Sequence, residues 1–209
     1  YTINEAEFLH ELKGRTAKII AAASLYHWNS SAVSETAALY PEMTVREIPI
    51  ELSGREVNAM LEHCYEKCLG QAEHIRNIKD IQKKEAFEVL IHGRIPVMQS
   101  TQCMKKTTGH CNKTSEEIWL EDKKGRKLPV TTHCRECYNL IWQEKPYDLI
   151  GEDLTGSIPY VTRHRFDLFH MSEKEIKEMK DRYLIWQENH FMCDLQKDDT
   201  EHHWNYGIE

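Results

Sequence analysis

Phe87-Glu-Val-Leu-Ile-His92, with the segment that follows it, Gly93-Arg-Ile-Pro-Val-Met-Gln-Ser-Thr-Gln-Cys103, decides how the chain folds. The first piece is a nearly continuous apolar run, the pattern of a strand covered on both faces in a parallel sheet. Such a strand is normally followed by a crossover helix. Here the helix is missing, and the chain enters a cysteine-bearing stretch from Met98 to Trp142 that reads as an insertion.

Two strand–helix units precede the apolar run. Lys18 to Ala23 is a short apolar strand, and Ser30-Ser31 opens a helix that ends before Pro41. Val45 to Ile50 is the next strand. Ser53 with Glu56 forms a capping box for a helix carrying Val57, Met60, Leu61, Cys64 and Cys68 on one stripe. A short amphipathic helix spans Asn4 to Leu12 and stops at Gly14, and a charged helical stretch runs from Gln71 to Lys84.

Downstream, alternation resumes at Tyr160 to Phe166. Ser172 and Glu175 cap a helix whose Ile176, Met179, Tyr183 and Trp186 share a face, and the tail from Gln187 to Glu209 is irregular. The expected fold class is α/β, a partial TIM-like barrel. Residues 1–97 supply strand–helix units, 98–142 the cysteine-rich insertion, and 143–209 the last unit and tail, all in one structural domain. A half barrel exposes sheet edges, so its partner half is expected upstream in a longer protein, in another chain or in a symmetry mate. The start at Tyr1, inside the repeating pattern, reads as that of a fragment.

Composition narrows the function classes. The 209 residues carry a formal net charge of −7, which argues against a free-standing nucleic-acid binder. No apolar run approaches the roughly eighteen residues of a membrane span, and the first residues have no signal-peptide pattern, so the expected location is the cytoplasm with no membrane partner. Seven cysteines, an odd number, do not read as a secreted disulfide framework.

Within the insertion, Cys103, Cys111, Cys134 and Cys137 have the make-up of one metal site. Four thiolates complete a tetrahedral zinc site or hold an iron–sulfur cluster, and the two-residue gap of the closing pair lets both sulfurs face one ion. The bland alternative is a set of reduced cysteines in a loop-rich insertion. From Cys103 to Cys137 there are eight Lys and Arg against five Asp and Glu, a local excess of +3 that offsets thiolate charge. His110 and His133, each just before a cysteine, are substitute ligands. Cys64 and Cys68 lie on the apolar stripe of their helix and read as packing, and Cys193 stands alone. A hairpin is expected from Ile118–Glu121 against Lys127–Thr131, turning at Lys123-Lys124-Gly125.

Glu88 to Cys103 (EVLIHGRIPVMQSTQC), then GHC, WLEDKKGRKLPV and HCRECYNLI, resemble the collagenase-like peptidases of unassigned catalytic type, a family that includes bacterial RNA hydroxylation proteins. Ser24 to Val33 (SLYHWNSSAV) and His202 to Glu209 (HHWNYGIE) resemble its strand-to-helix segment and closing motif. The chain departs from the family pattern in having His202 where a Gly is usual, and in a wider gap between Cys111 and Cys134. The resemblance implies the C-terminal half of a barrel. It also implies an iron–sulfur cluster on Cys103, Cys111, Cys134 and Cys137, and RNA modification with a small organic acid as hydroxyl donor.

Three functions compete: a cluster-dependent RNA hydroxylation enzyme, a collagenase-like peptidase, and a non-catalytic zinc module that docks the other barrel half. For the peptidase, His10-Glu11 begins a metalloprotease motif but Gly14 stands where the second ligand belongs, and no Gly-x-Ser-x-Gly elbow is present. Candidate substrate-binding residues are Asn29 and His92 at the C-terminal ends of strands, and Arg94 and Arg135 beside the cysteines. With Lys105 and Lys106, the two arginines suit carboxylate or phosphate. Asp167, after the last strand, has the same standing as His92. RNA or peptide substrate would be reached through the intact protein.

Overall fold

The computed structural model describes residues 2–14, 18–71, 86–152, 161, 163–189 and 204. The chain is mixed α/β, with parallel and antiparallel strands, and the described sheets do not close into a barrel. It divides into two compact units. Tyr1–Ile91, Leu149–Phe166 and Lys177–Glu209 form the first, and His92–Asp148 with Asp167–Ile176 the second.

In the first unit, β1 (Thr2–Ile3), β2 (Ile19–Ala21), β3 (Met43–Glu47) and β4 (Ala86–Gly93) lie side by side in chain order, each parallel to the next. Between them run α1 (Glu7–Leu12), α2 (Ser30–Leu39) and α3 (Gly54–Gln71), and β10 (Arg163–Phe166) adds to β4. This is the strand–helix alternation read from the sequence. Phe87, Val89, Leu90 and Ile91 of β4 are all buried, and Ile3, Leu9, Ile19, Ala21 and Met43 form one apolar cluster. Removing such side chains from water drives the packing, at about 1.5–3 kcal/mol for each large one.

The capping boxes form as expected. Ser53 N donates to Glu56 Oε2 at 2.8 Å, and Glu56 N donates back to Ser53 Oγ at 3.3 Å. Ser172 and Glu175 repeat the pattern ahead of α5 (Glu173–Asn189), with Ser172 N 2.7 Å from Glu175 Oε2. These bonds hold both carboxyls below the usual range. Cys64 is buried in α3, as its stripe implied. The charged stretch beyond Gln71, the start of the Tyr160 strand, most of the tail with its HHWNYGIE motif, Cys193 and the side chain of Cys68 lie outside the described residues.

The insertion is larger than a hairpin. In the second unit, β5 (Pro96–Ser100), β6 (Glu117–Glu121), β7 (Lys127–His133) and β8 (Tyr138–Trp142) form a four-stranded antiparallel sheet in the order β5-β8-β7-β6. The expected hairpin is β6–β7, with Ile118 opposite Val130 and Glu121 opposite Lys127. Asp122 builds its turn, since Oδ1 accepts from Lys124 N at 2.8 Å and Arg126 N at 3.0 Å. Val130, Ile141 and Trp142 are buried within this unit. A two-residue β9 (Tyr147–Asp148) pairs antiparallel with His92 and Gly93. Gly93 is required there, because at its φ of +159° an added Cβ would stand 2.6 Å from Asp167 Cβ.

Candidate metal centre

All four candidate ligands lie in the second unit, at one end of its sheet. Cys103 follows β5 and caps the short helix α4 (Met104–Thr107), its Sγ accepting from Lys106 N at 3.4 Å. Cys134 and Cys137 occupy the β7–β8 turn, where Cys137 takes a left-handed φ of 58°. Cys111 lies on the exposed loop between α4 and β6. Each is a free thiol.

Hydrogen bonds fasten these segments together. Cys134 N donates to Ser115 Oγ at 3.0 Å, and Cys134 Sγ donates to Thr114 O at 3.1 Å. Glu116 N donates to Thr132 Oγ1 at 2.8 Å, which returns a bond to Glu116 O at 2.9 Å. Buried Asn139, at the start of β8, donates to Ser100 O at 3.3 Å and Gln102 O at 2.8 Å, just ahead of Cys103. Lys105, also buried, donates to Thr114 O at 2.8 Å, to Asn112 Oδ1 and to Glu116. The Glu116 hydrogen bond holds its ammonium above the ordinary lysine range against the opposing effect of burial, and the charges of Glu116, Cys134 and Cys111 add to it.

Among the described residues no three His, Cys, Asp or Glu side chains close on a common metal position. As a donor set, four free, partly to fully exposed thiols on one end of a sheet are of the kind that binds a thiophilic ion or cluster. Of the substitute ligands, His133 stacks on Tyr138 with ring centroids 4.3 Å apart, and its buried Nε2 has no hydrogen-bond partner among the described residues.

The substrate candidates separate. His92 is buried at the end of β4 with Nδ1 3.5 Å from Asp148 Oδ1, and its carbonyl accepts from Asp167 N at 2.8 Å. Arg94 spends its guanidinium on two carbonyls, Gln143 O at 3.0 Å and Glu144 O at 2.6 Å. Arg135 is 93% exposed, 3.9 Å from Glu136. Asn29, in the first unit, caps α2, its Oδ1 accepting from Ala32 N at 2.9 Å.

Two polar groupings had no sequence signal. In the first unit Glu47 and Glu88 are direct cross-strand partners, and Arg165 stands 3.4 Å from Glu47 Oε1 and 3.9 Å from Glu88 Oε1. Burial and then the Glu47 charge raise the Glu88 carboxyl. In the second unit His170 Nδ1 lies 2.9 Å from Glu117 Oε2, its Nε2 lies 3.1 Å from Thr131 Oγ1, and Trp142 Nε1 donates to that hydroxyl at 2.9 Å. With a carboxylate taking the Nδ1 proton, the hydroxyl proton faces Nε2.

Comparisons with protein-family models, with curated proteins and with solved structures return no match for this chain. Among the described residues no helix is long and apolar enough to cross a membrane.

Proposed function

We propose that Cys103, Cys111, Cys134 and Cys137 ligate one iron–sulfur cluster, with zinc as the alternative, in an RNA-hydroxylation enzyme of the collagenase-like peptidase family that the sequence resembles. One observation supports the reading: four free thiols lie on the turn and loops at one end of the four-stranded sheet, with the Cys134 segment and the segment ahead of Cys103 fastened by hydrogen bonds. A cluster held by all four cysteines would supply electron transfer. The protein's own part is to hold the thiols, through Lys105, Ser115 and Asn139, and to offer exposed Lys106 and Arg135 to an anionic substrate.

On this reading the chain-ordered parallel strands β1 to β4 are one half of a barrel completed upstream or by another chain. The Glu47–Arg165–Glu88 group then belongs to a face turned to substrate, since an apolar layer would be cheaper to bury. The reading is tested by Cys134→Ser, which abolishes metal loading; unchanged metal content shows that the ligand set is wrong. Mass spectrometry of RNA from cells lacking the intact protein should show a hydroxylated base lost, and unchanged RNA removes the RNA half of the reading.

The Glu117–His170–Thr131 relay favours a second reading, acyl hydrolysis with Thr131 as nucleophile and His170 as base. A fluorophosphonate probe then labels Thr131 in the parent protein and not in His170→Ala. No labelling of the parent removes this reading.

A further inference from the structure

Lys105 lies in the four-residue α4 with 4% of its surface exposed. Lysines are rarely buried without partners. This one has three, Asn112 Oδ1, Thr114 O and Glu116 Oε1, one for each N–H of its ammonium. The Thr114 carbonyl is shared, because the Cys134 thiol donates to it as well. The helix that carries Lys105 begins at Cys103, and Asn112 directly follows Cys111. A single ammonium therefore ties together the chain segments of Cys103, Cys111 and Cys134. Its own counter-charge, Glu116, is 44% exposed and so partly screened by water.

Thiolates that converge on a metal repel one another, and a buried positive charge on the segments that carry them would offset that repulsion. We infer that Lys105 is the positioning cation of the centre proposed above, acting through its charge on the thiolates of the segments it ties together as well as through its hydrogen bonds. The inference rests on the four-cysteine reading. It assigns to Lys105 a part that hydrogen bonding alone does not require: removing the lysine charge weakens metal binding, whereas removing the counter-charge on Glu116 does not.

The test uses the whole protein, loaded without oxygen with ferrous iron and sulfide or with zinc ions, then challenged with a graded chelator. Lys105→Met keeps the length of the stem and removes the charge. Glu116→Gln keeps an acceptor for the ammonium and removes the opposing charge. Lys105→Met is expected to bind about tenfold or more weakly, the usual cost of losing a group behind the ligands, while Glu116→Gln binds at least as tightly as the parent. Undiminished binding by Lys105→Met, or weakened binding by Glu116→Gln, overturns the inference and reduces Lys105 to a staple. Circular dichroism checks that each variant is folded; if Lys105→Met is not, Lys105→Gln, which keeps a donor without the charge, is compared with Lys105→Arg, which keeps the charge, and equal metal binding by the two overturns the inference. A parent protein that takes up no metal overturns the four-cysteine reading itself, and this inference with it.

Discussion

The six-stranded sheet and the cysteine-bearing end of the four-stranded sheet are held by different forces. In the first, β4 buries Phe87, Val89, Leu90 and Ile91 in succession, and α3 adds Val57, Met60 and Leu61. In the second, Lys105, Asn139, Thr132 and Ser115 fasten loops through hydrogen bonds. Apolar burial is non-directional and scales with area. Polar fastening is directional, and losing one partner leaves the other buried and unpaired. The first region tolerates change of shape better than loss of volume; the second places side chains closely but depends on each bond.

The largest expected effect breaks the first region. Leu61→Ala should cost about 2–5 kcal/mol in denaturant unfolding, through lost burial and the cavity left behind, with the alkylation rate of the four thiols in the native protein unchanged. A loss below about 1 kcal/mol would show that the helix–sheet interface is not a packed core.

Next comes pH. Burial, and secondarily the Arg46 charge, lower His27 from 6.5 to about 4. The unfolded chain takes up this proton first, so the stability His27 contributes is complete above about 6.5 and lost as pH falls toward about 4. His27→Gln should flatten stability across that window, and an unaltered profile would place the acid sensitivity elsewhere.

Asn139→Ala should cost about 1–3 kcal/mol by leaving the Ser100 and Gln102 carbonyls without their donor. Unlike Leu61→Ala it should also speed amide exchange ahead of Cys103. The smallest effect is at Arg135, 93% exposed, where replacement by Ala should move stability by no more than about 0.5 kcal/mol. A larger change would mean that the β7–β8 turn is held by its surface charge.

What the sequence made legible follows the same division. The β4 run and the two capping boxes were readable because local pattern and burial agree there. The β6–β7 hairpin was readable from its turn. The enlargement to four strands was not, since β5 exposes most of its residues as an edge strand and shows no alternation. Nor were β1 and β9, each two residues long. Among candidate site residues, the cysteine set carried its own spacing signal. Asn29 and Arg94 were drawn by residue type and position, yet their polar atoms are engaged in a cap and in two carbonyls. Lys105 stood in the sequence as one surface cation among several, because its burial depends on Asn112, Thr114 and Glu116 folding back on it.

The central claim is that the polar-fastened end is a metal centre. Iron, acid-labile sulfide and zinc, measured per chain together with the visible spectrum on protein purified without oxygen, test this most directly. Iron and sulfide in comparable amounts with broad brown absorbance are the predicted result. Zinc alone would contradict the cluster, and a colourless protein with four reactive thiols and no metal would contradict the centre.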